Sequence, residues 1–178
     1  MRKIIVFGNS GSGKSTLAKE LRDEGLAHLD LDTLAWLPTN PPERRPIEQA
    51  YKQIQAFIRK NDEWVVEGCY ADFLELLKPF ANEAIFMNLP TELCQNNARN
   101  RPWEPHKYES KEAQDNNLPM LLDWIAGYMK RDDSLSYGAH SNLFQGFKGR
   151  KTEITSNKKR HNQTLKNDAE KAHILAKG

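Results

Sequence analysis

The clearest chemical pattern in the chain is a glycine-rich stretch of nine residues that begins at residue 8. It reads Gly8-Asn9-Ser10-Gly11-Ser12-Gly13-Lys14-Ser15-Thr16, which satisfies the spacing GxxxxGK[ST]. Glycines let backbone N–H groups turn inward around phosphate oxygens, and a helix that starts at Lys14 would add its positive end. In such a loop the lysine is catalytic and bridges the β- and γ-phosphates, Ser15 binds Mg²⁺, and Thr16 lies towards the α-phosphate. The stretch therefore predicts a site for ATP with Mg²⁺.

Three carboxylates follow two other segments that have the composition of strands. Asp30 and Asp32 stand at the end of residues 26–31, and Glu67 ends the run Trp-Val-Val-Glu. A phosphoryl transferase needs a carboxylate near Mg²⁺ and often one that orients the attacking hydroxyl. We predict catalytic and metal-binding roles for Asp30 and Glu67 and a substrate contact for Asp32. The alternative for each is a solvated or capping carboxylate, and Asp32 is well placed to cap a following helix.

A polar segment interrupted by two prolines lies farther along the chain, at residues 101–117. The basic side chains around it are Arg99, Arg101, Lys107, Lys130 and Arg131. Phosphoryl-transfer enzymes commonly close a mobile lid and present arginines to the charge of the transition state. We predict a lid at about 101–117, with an outer limit at residue 149, and catalytic roles for Arg99 and Arg101. The predicted lid also carries three aromatic rings, which either stack on a ligand or pack the lid: Trp103, His106 and Tyr108.

Alternating apolar and amphipathic segments are expected to position these side chains. Strands are predicted at 3–7, 26–31, 64–67, 83–89 and, weakly, 151–156. Helices are predicted from residue 14 to Gly25 and at 47–60, 73–80, 91–100 and 118–131, with a loop or short helix at 138–149 and a final helix at 164–176. This alternation indicates a parallel sheet with helices on both faces. Such sheets bind ligands beyond the carboxyl ends of their strands, where Gly8, Asp30 and Glu67 stand.

Length and charge indicate how the chain is organised. Its 178 residues suit one globular domain, and no run approaches the ~18 apolar residues of a membrane helix. Cys69 and Cys94 fit no metal-binding spacing, so a reducing, cytoplasmic location is expected. Residues 148–178 carry nine Lys or Arg against three Asp or Glu. We predict a domain at 1–156 and a basic extension at 157–178, which either is solvated or contacts nucleic acid.

Three motifs together carry a resemblance to a known group of proteins. They are Gly8–Thr16, His28-Leu29-Asp30 with the following Asp32–Trp36, and the run Trp64–Tyr70. With them the chain resembles the adenylate kinase and shikimate kinase branch of P-loop NTPases, from residue 1 to about residue 156. It is especially similar to small bacterial ATPases of the AAA type, some of which are known as DNA topology modulation proteins.

The resemblance implies both a fold and a site. The fold would be α/β with three layers, in which a five-stranded parallel sheet has the order 2-3-1-4-5 and a lid follows the fourth strand. The site would hold ATP and Mg²⁺ beside an acceptor crevice lined by Asp30, Glu67 and Tyr70. Shikimate kinases carry a glycine triplet after their third strand, whereas this chain has Glu67-Gly68-Cys69. Shikimate is therefore not predicted as the acceptor.

Two functions fit these observations. The first is an ATP- and Mg²⁺-dependent phosphotransferase that acts on a small molecule or a nucleotide. The second is a nucleotide-binding regulatory ATPase that associates with nucleic acid through the basic extension. Turnover without the extension would favour the first function, and loss of salt-sensitive binding would favour the second.

Overall fold

The computed structural model describes residues 1–157, which form five strands and seven helices. The strands are β1 (Lys3–Gly8), β2 (Ala27–Asp30), β3 (Trp64–Glu67), β4 (Glu83–Met87) and β5 (Arg150–Ile154). The helices are α1 (Lys14–Asp23), α2 (Asp32–Ala35), α3 (Ile47–Lys60), α4 (Ala71–Leu77), α5 (Thr91–Arg99), α6 (Lys111–Ala126) and α7 (Tyr137–Gly146). Apart from its first residue, the predicted basic extension lies outside the described residues, as does the predicted helix at 164–176.

The five strands form one sheet in which every neighbouring pair is parallel. Their order is β2-β3-β1-β4-β5, so the predicted topology is confirmed. Asp30 is the register partner of Glu67 on the adjacent strand, and Gly8 is the partner of Met87. Parallel strands end at the same edge of a sheet. The carboxyl ends of β1, β2 and β3 therefore bring the phosphate-loop motif and the predicted carboxylates to one edge.

Helices cover both faces of the sheet, and each face has its own apolar core. In β1 the side chains of Ile5 and Phe7 belong to one core, and those of Ile4 and Val6 belong to the other. The first core is completed by side chains of α3, α4 and α7, and the second by side chains of α1, α5 and α6. A strand buried on both faces reads as a continuous apolar run, which is why Ile-Ile-Val-Phe predicted a central strand.

The predicted lid differs from the structure at its second half. Helix α6 begins at Lys111 rather than at residue 118, so only residues 101–110 are irregular. The Ser110 hydroxyl accepts a hydrogen bond from the backbone N–H of Ala113 at 3.0 Å and caps the helix start. Pro119 lies inside the helix and does not end it. The polar first two turns carry no apolar periodicity, which explains why the sequence placed the start too late.

Smaller differences concern the ends of other elements. Strand β2 ends at Asp30 because the chain turns directly into the short helix α2. Helix α4 begins two residues before its predicted start and ends at Leu77. The segment predicted as a loop or a short helix at 138–149 forms helix α7. Within residues 1–157, no helix combines the length and the apolar character that crossing a bilayer requires.

Candidate functional site

The glycine-rich motif forms the connection between β1 and α1. Gly11 and Gly13 both have positive φ, 76° and 87°, which L side chains rarely adopt. A Cβ at position 11 would also lie 2.3 Å from the carbonyl oxygen of Cys94 in α5. Lys14 is the first residue of α1, and Gly13 is the residue before it. The loop therefore runs close to α5 and presents the start of a helix to the edge of the sheet.

Two asparagines fasten this loop to the helices of one face. The Asn9 side-chain amide donates to the backbone carbonyl of Ile125 at 3.2 Å, and Asn97 donates to the carbonyl of Gly11 at 2.8 Å. The Lys14 ammonium donates to the carbonyl of Asn9 at 2.7 Å. It thus bends back over the loop, where phosphate oxygens would offer it stronger, charged acceptors. Ser10 and Thr16 complete the motif, with Thr16 exposed on α1.

Two polar atoms of the loop indicate room for a ligand. Among the described residues, the buried Asn9 Oδ1 and the buried Ser12 Oγ have no hydrogen-bond partner. A buried polar group without a partner usually marks a missing water, ion or ligand. Together with the positive-φ glycines and the helix start, these atoms fit the triphosphate of a nucleotide.

Glu67 lies at the centre of the acidic edge and is almost fully buried, with 2% of its surface exposed. Its Oε1 accepts a hydrogen bond from the Ser15 hydroxyl at 2.9 Å and lies 3.3 Å from Nε2 of His28. The structure therefore joins the third strand directly to the phosphate loop. His28 was missed from the sequence, although it stands two residues before Asp30 on the same strand and thus on the same face.

Asp30 lies beside Glu67 on the neighbouring strand. Burial is the largest of the effects that raise the pKa of Asp30 to about 6, and the negative charges of Glu67 and Asp32 contribute to the same rise. One of its oxygens, Oδ1, accepts a hydrogen bond from the backbone N–H of Asp32 at 2.9 Å. Asp30 therefore combines a bond to the start of α2 with a pKa close to neutrality.

Asp32 points towards an aromatic side chain and a lysine. Its Oδ1 accepts a hydrogen bond from the Tyr70 hydroxyl at 2.5 Å, and its Oδ2 lies 3.6 Å from the ammonium of Lys107. Burial raises the pKa of Tyr70 above its ordinary value, and the negative charge of Asp32 adds to this rise. Asp32 was predicted either to contact the substrate or to cap a helix, and the structure shows no side-chain cap on α2. Its carboxylate instead faces the site.

The oxygen donors at this edge suit a magnesium ion. Mg²⁺ is usually held by one or two protein oxygens together with substrate phosphates and water. Ser15 Oγ and the carboxylates of Glu67 and Asp30 provide such oxygens beside the phosphate loop. Residues 1–157 contain no group of three or more His, Cys, Asp or Glu that could hold a metal without further ligands. The donors therefore fit an ion that arrives with a nucleotide.

The Arg44 guanidinium packs against aromatic rings next to Asp32, of which those of Tyr70 and Phe73 are buried. The indole N–H of Trp36 donates to the Tyr70 hydroxyl oxygen at 3.1 Å. The Arg44 guanidinium lies 4.8 Å from the ring centre of Tyr70, 5.0 Å from that of Phe73, and 3.1 Å from a carboxylate oxygen of Asp72. Sequence reasoning missed Arg44 because it stands in an irregular connection with no periodic pattern.

The predicted lid arginines lie outside these contacts in the described arrangement. Arg99 donates to the side chain of Asn96 at 2.8 Å, and Arg101 pairs with Glu104 at 3.4 Å. Their catalytic roles stay predictions. The Trp103 indole of the same segment donates to the backbone carbonyl of Tyr108 at 3.1 Å.

A buried histidine supports the loop that carries Tyr70. Nε2 of His140, in α7, lies 2.7 Å from the backbone carbonyl of Cys69, and Nδ1 lies 2.6 Å from the Tyr128 hydroxyl. These contacts suit a neutral imidazole that donates from Nε2 and accepts at Nδ1. Burial lowers the pKa of His140 to about 4. His140 was not among the predicted site residues.

The parallel sheet in the order 2-3-1-4-5, with the glycine-rich loop and its Lys14 and Ser15 between β1 and α1, defines a nucleotide-binding P-loop NTPase of the kinase-like type. The family model described as AAA domain matches residues 4–117, and the chain belongs to this family. The narrower resemblance to DNA topology modulation proteins stays a prediction.

Among the similar proteins, the structure of TT1252 agrees with this assignment at the level of the fold. The uncharacterized protein YqaC of Bacillus subtilis (strain 168) is 26% identical over 137 residues, which are 71% of this chain and 72% of that protein. The crystal structure of TT1252 from Thermus thermophilus covers 99% of this chain, with 97% of its own length, at a TM-score of 0.52 and 16% identity. Shikimate kinase from Bacteroides thetaiotaomicron aligns with 81% of this chain and 97% of its own, but only at a TM-score of 0.37 and 14% identity.

Proposed function

We propose that this protein transfers the terminal phosphoryl group of ATP, with Mg²⁺, to a small-molecule or nucleotide acceptor. The observation that carries the proposal is the contact between Ser15 and the buried Glu67, with Asp30 alongside. A loop that only held a nucleotide would not need several carboxylates gathered at its phosphate end, because their charges repel phosphate. Such carboxylates become useful where a metal ion and a reacting hydroxyl must be positioned.

Each residue at this edge has a defined role in the proposed reaction. Lys14 leaves the carbonyl of Asn9 and binds the β- and γ-phosphates, while the loop N–H groups hold the remaining oxygens. Ser15 and Glu67 hold Mg²⁺, which neutralises charge on the phosphates when it is bound. Asp30 accepts the proton of the attacking acceptor hydroxyl, and its raised pKa suits a general base near neutral pH.

The acceptor is proposed to bind beside Asp30, in the crevice formed by Asp32, Tyr70, Trp36 and Arg44. The Asp32 carboxylate there can accept hydrogen bonds from hydroxyl groups of the phosphoryl acceptor, and the exposed ring of Trp36 supplies an apolar surface. We further propose that the domain at residues 1–156 is sufficient for this activity.

Release of ADP by the purified protein tests the proposal. The protein is incubated with ATP and Mg²⁺ alone and with a panel of nucleoside monophosphates, sugar acids and other small hydroxyl compounds. We expect one class of compound to stimulate ADP release strongly and to become phosphorylated, as shown by mass spectrometry. The variant Lys14→Ala, purified in parallel, must lose this activity, which excludes a contaminating kinase. Slow hydrolysis that no compound stimulates would contradict the proposal and favour the regulatory ATPase.

A further inference from the structure

Lys107 is the basic residue of segment 101–110 that reaches the acidic edge. Its ammonium lies 3.6 Å from Asp32 Oδ2 and 3.9 Å from Glu104 Oε1, and its side chain is 27% exposed. Glu104 belongs to the same segment, whereas Asp32 begins α2 at the end of the second strand. The ion pair with Asp32 thus joins the irregular segment to the candidate site.

Asp32 is itself held in place by a hydrogen bond from the buried Tyr70. Its other oxygen accepts the Tyr70 hydroxyl at 2.5 Å, and that hydroxyl accepts from the Trp36 indole at 3.1 Å. A carboxylate held on one oxygen by a tyrosine can direct its second oxygen at a cation with little loss of freedom. Asp32 therefore fixes where the ammonium of Lys107 stands.

The charge on Lys107 is maintained by its surroundings. Burial lowers the pKa of Lys107, but the carboxylates of Asp32, Glu104 and Asp30 outweigh this effect, and the net pKa lies above the ordinary 10.5. The influence of Asp30 shows that the ammonium lies within electrostatic reach of the proposed general base. Arg99 pairs with Asn96 on its own helix, and Arg101 pairs with Glu104, the second partner of Lys107, rather than with Asp32.

We propose that Lys107 is the residue of segment 101–110 that contacts the transferring phosphoryl group. Asp32 is the positioning residue that holds the Lys107 ammonium in place. The inference rests on the proposed function. In that reaction the acceptor oxygen forms a bond to the γ-phosphorus while the bond from this phosphorus to the β–γ bridging oxygen breaks. The electron pair leaves with ADP, and the acceptor proton passes to Asp30. The Lys107 ammonium offsets negative charge on the group in transit.

A mimic of the transferring group tests this inference without knowledge of the acceptor. Aluminium fluoride, added with ADP and Mg²⁺, imitates a phosphoryl group in transit, and calorimetry compares affinity for ADP and Mg²⁺ with and without it. We expect the wild-type protein to gain at least about tenfold from the fluoride. Lys107→Met keeps the aliphatic length and removes the charge, so it should lose most of this gain and bind ADP and Mg²⁺ as before. Asp32→Asn should lose part of the gain, and Lys107→Arg should keep part of it.

Two further variants make the result specific. Lys111→Met removes an exposed lysine that pairs with Asp115 in α6 and should keep the full gain. Arg101→Ala tests the competing arginine, which shares Glu104 with Lys107, and should lose less of the gain than Lys107→Met does. A Lys107→Met protein that keeps the gain, or that weakens binding equally with and without fluoride, overturns the inference while the proposed function stands. The inference is also overturned if Arg101→Ala loses the gain from fluoride while Lys107→Met keeps it. If the wild-type protein gains nothing from fluoride, the proposed phosphoryl transfer itself fails and the inference fails with it.

Discussion

Glu67 differs from the other glutamates because it is buried beside the phosphate loop and shares one oxygen with Ser15 and His28. A buried carboxylate is costly unless it has partners or binds a metal. The amide of a glutamine would keep an oxygen for the Ser15 hydroxyl but would remove the charge that Mg²⁺ requires. The proposed function therefore depends on the charge of the Glu67 side chain rather than on its shape.

Glu67→Gln is expected to bind metal-free ATP within about threefold of the wild-type protein and to lower turnover by about 10²- to 10³-fold. The control is Glu48→Gln, which changes an exposed glutamate in the first turn of α3 and should leave both quantities unchanged. ATP affinity is measured by calorimetry and turnover by ADP release. Full turnover in Glu67→Gln would make Glu67 a structural residue.

Asp30 is the residue whose protonation should set the acid limit of activity. Its pKa of about 6 means that the carboxylate is ionised above this pH and protonated below it. A general base acts only when it is ionised, so kcat/KM for the acceptor should fall about tenfold for each pH unit below 6 and level off above it. The pH profile of the stimulated reaction measures this limit. A flat profile between pH 5 and 7 would show that no base with a pKa near 6 limits the reaction.

At the scale of the elements, the phosphate loop depends on its close approach to α5. Gly11 combines a φ of 76° with a carbonyl oxygen of Cys94 only 2.3 Å from where a Cβ would stand. Gly11→Ala should therefore destabilise the protein by about 2 kcal/mol and weaken nucleotide binding at least tenfold.

Gly138 in α7 is the control position, because it has open space around it and its nearest neighbour is 3.9 Å away. Gly138→Ala should stabilise the protein by about 0.5–1 kcal/mol. Urea unfolding and calorimetry check both, and equal effects of the two changes would contradict the prediction.

The contact of α7 with the connection between β3 and α4 should make stability depend on pH through His140. Its pKa is about 4 in the folded protein against an ordinary 6.5, so between these values the unfolded chain binds more protons. Stability should therefore fall as pH falls, by about 2 kcal/mol between pH 7 and 5 from this group alone. His140→Gln, although less stable at pH 7, should lose this contribution, whereas His106→Gln, at an exposed position, should keep it. Urea unfolding at both pH values measures the difference, and equal slopes for all three proteins would refute the assignment.

Elements with a local signal were predictable from the sequence, and contacts between distant segments were not. The ends of α3 and β3 match the predictions because apolar spacing and flanking polar residues mark them. The phosphate loop is contiguous, so one motif contains all of it. Glu67 and Asp30 were reached by one further step, since parallel strands end at one edge.

The other residues of the site lie in irregular segments, and their positions depend on which distant parts of the chain these segments contact. Lys107 and Arg44 stand in segments without periodicity, and their partners Asp32 and Asp72 lie 75 and 28 positions away. The start of α6 was missed because its first turns are polar, and a capping serine is a weaker signal than an apolar stripe. Arg99 and Arg101 were chosen because they stand beside the proline-interrupted segment, and their roles stay predictions.

At the scale of the whole molecule, every residue proposed to act in transfer lies between Gly8 and Lys107, which leaves the basic extension without an assigned part in the reaction. A chain ending at residue 157 should therefore retain turnover within about twofold of the full-length protein. Binding of a fluorescent DNA duplex, measured by anisotropy over a range of salt concentrations, separates the alternative function. A nucleic-acid-associated ATPase would lose salt-sensitive binding on truncation, because each phosphate contact adds about −0.9 to the slope of log affinity against log salt concentration. For a phosphotransferase we expect equally weak DNA binding by both chains at physiological salt. DNA that accelerates ATP hydrolysis by the full-length chain alone would reverse the choice between the two functions.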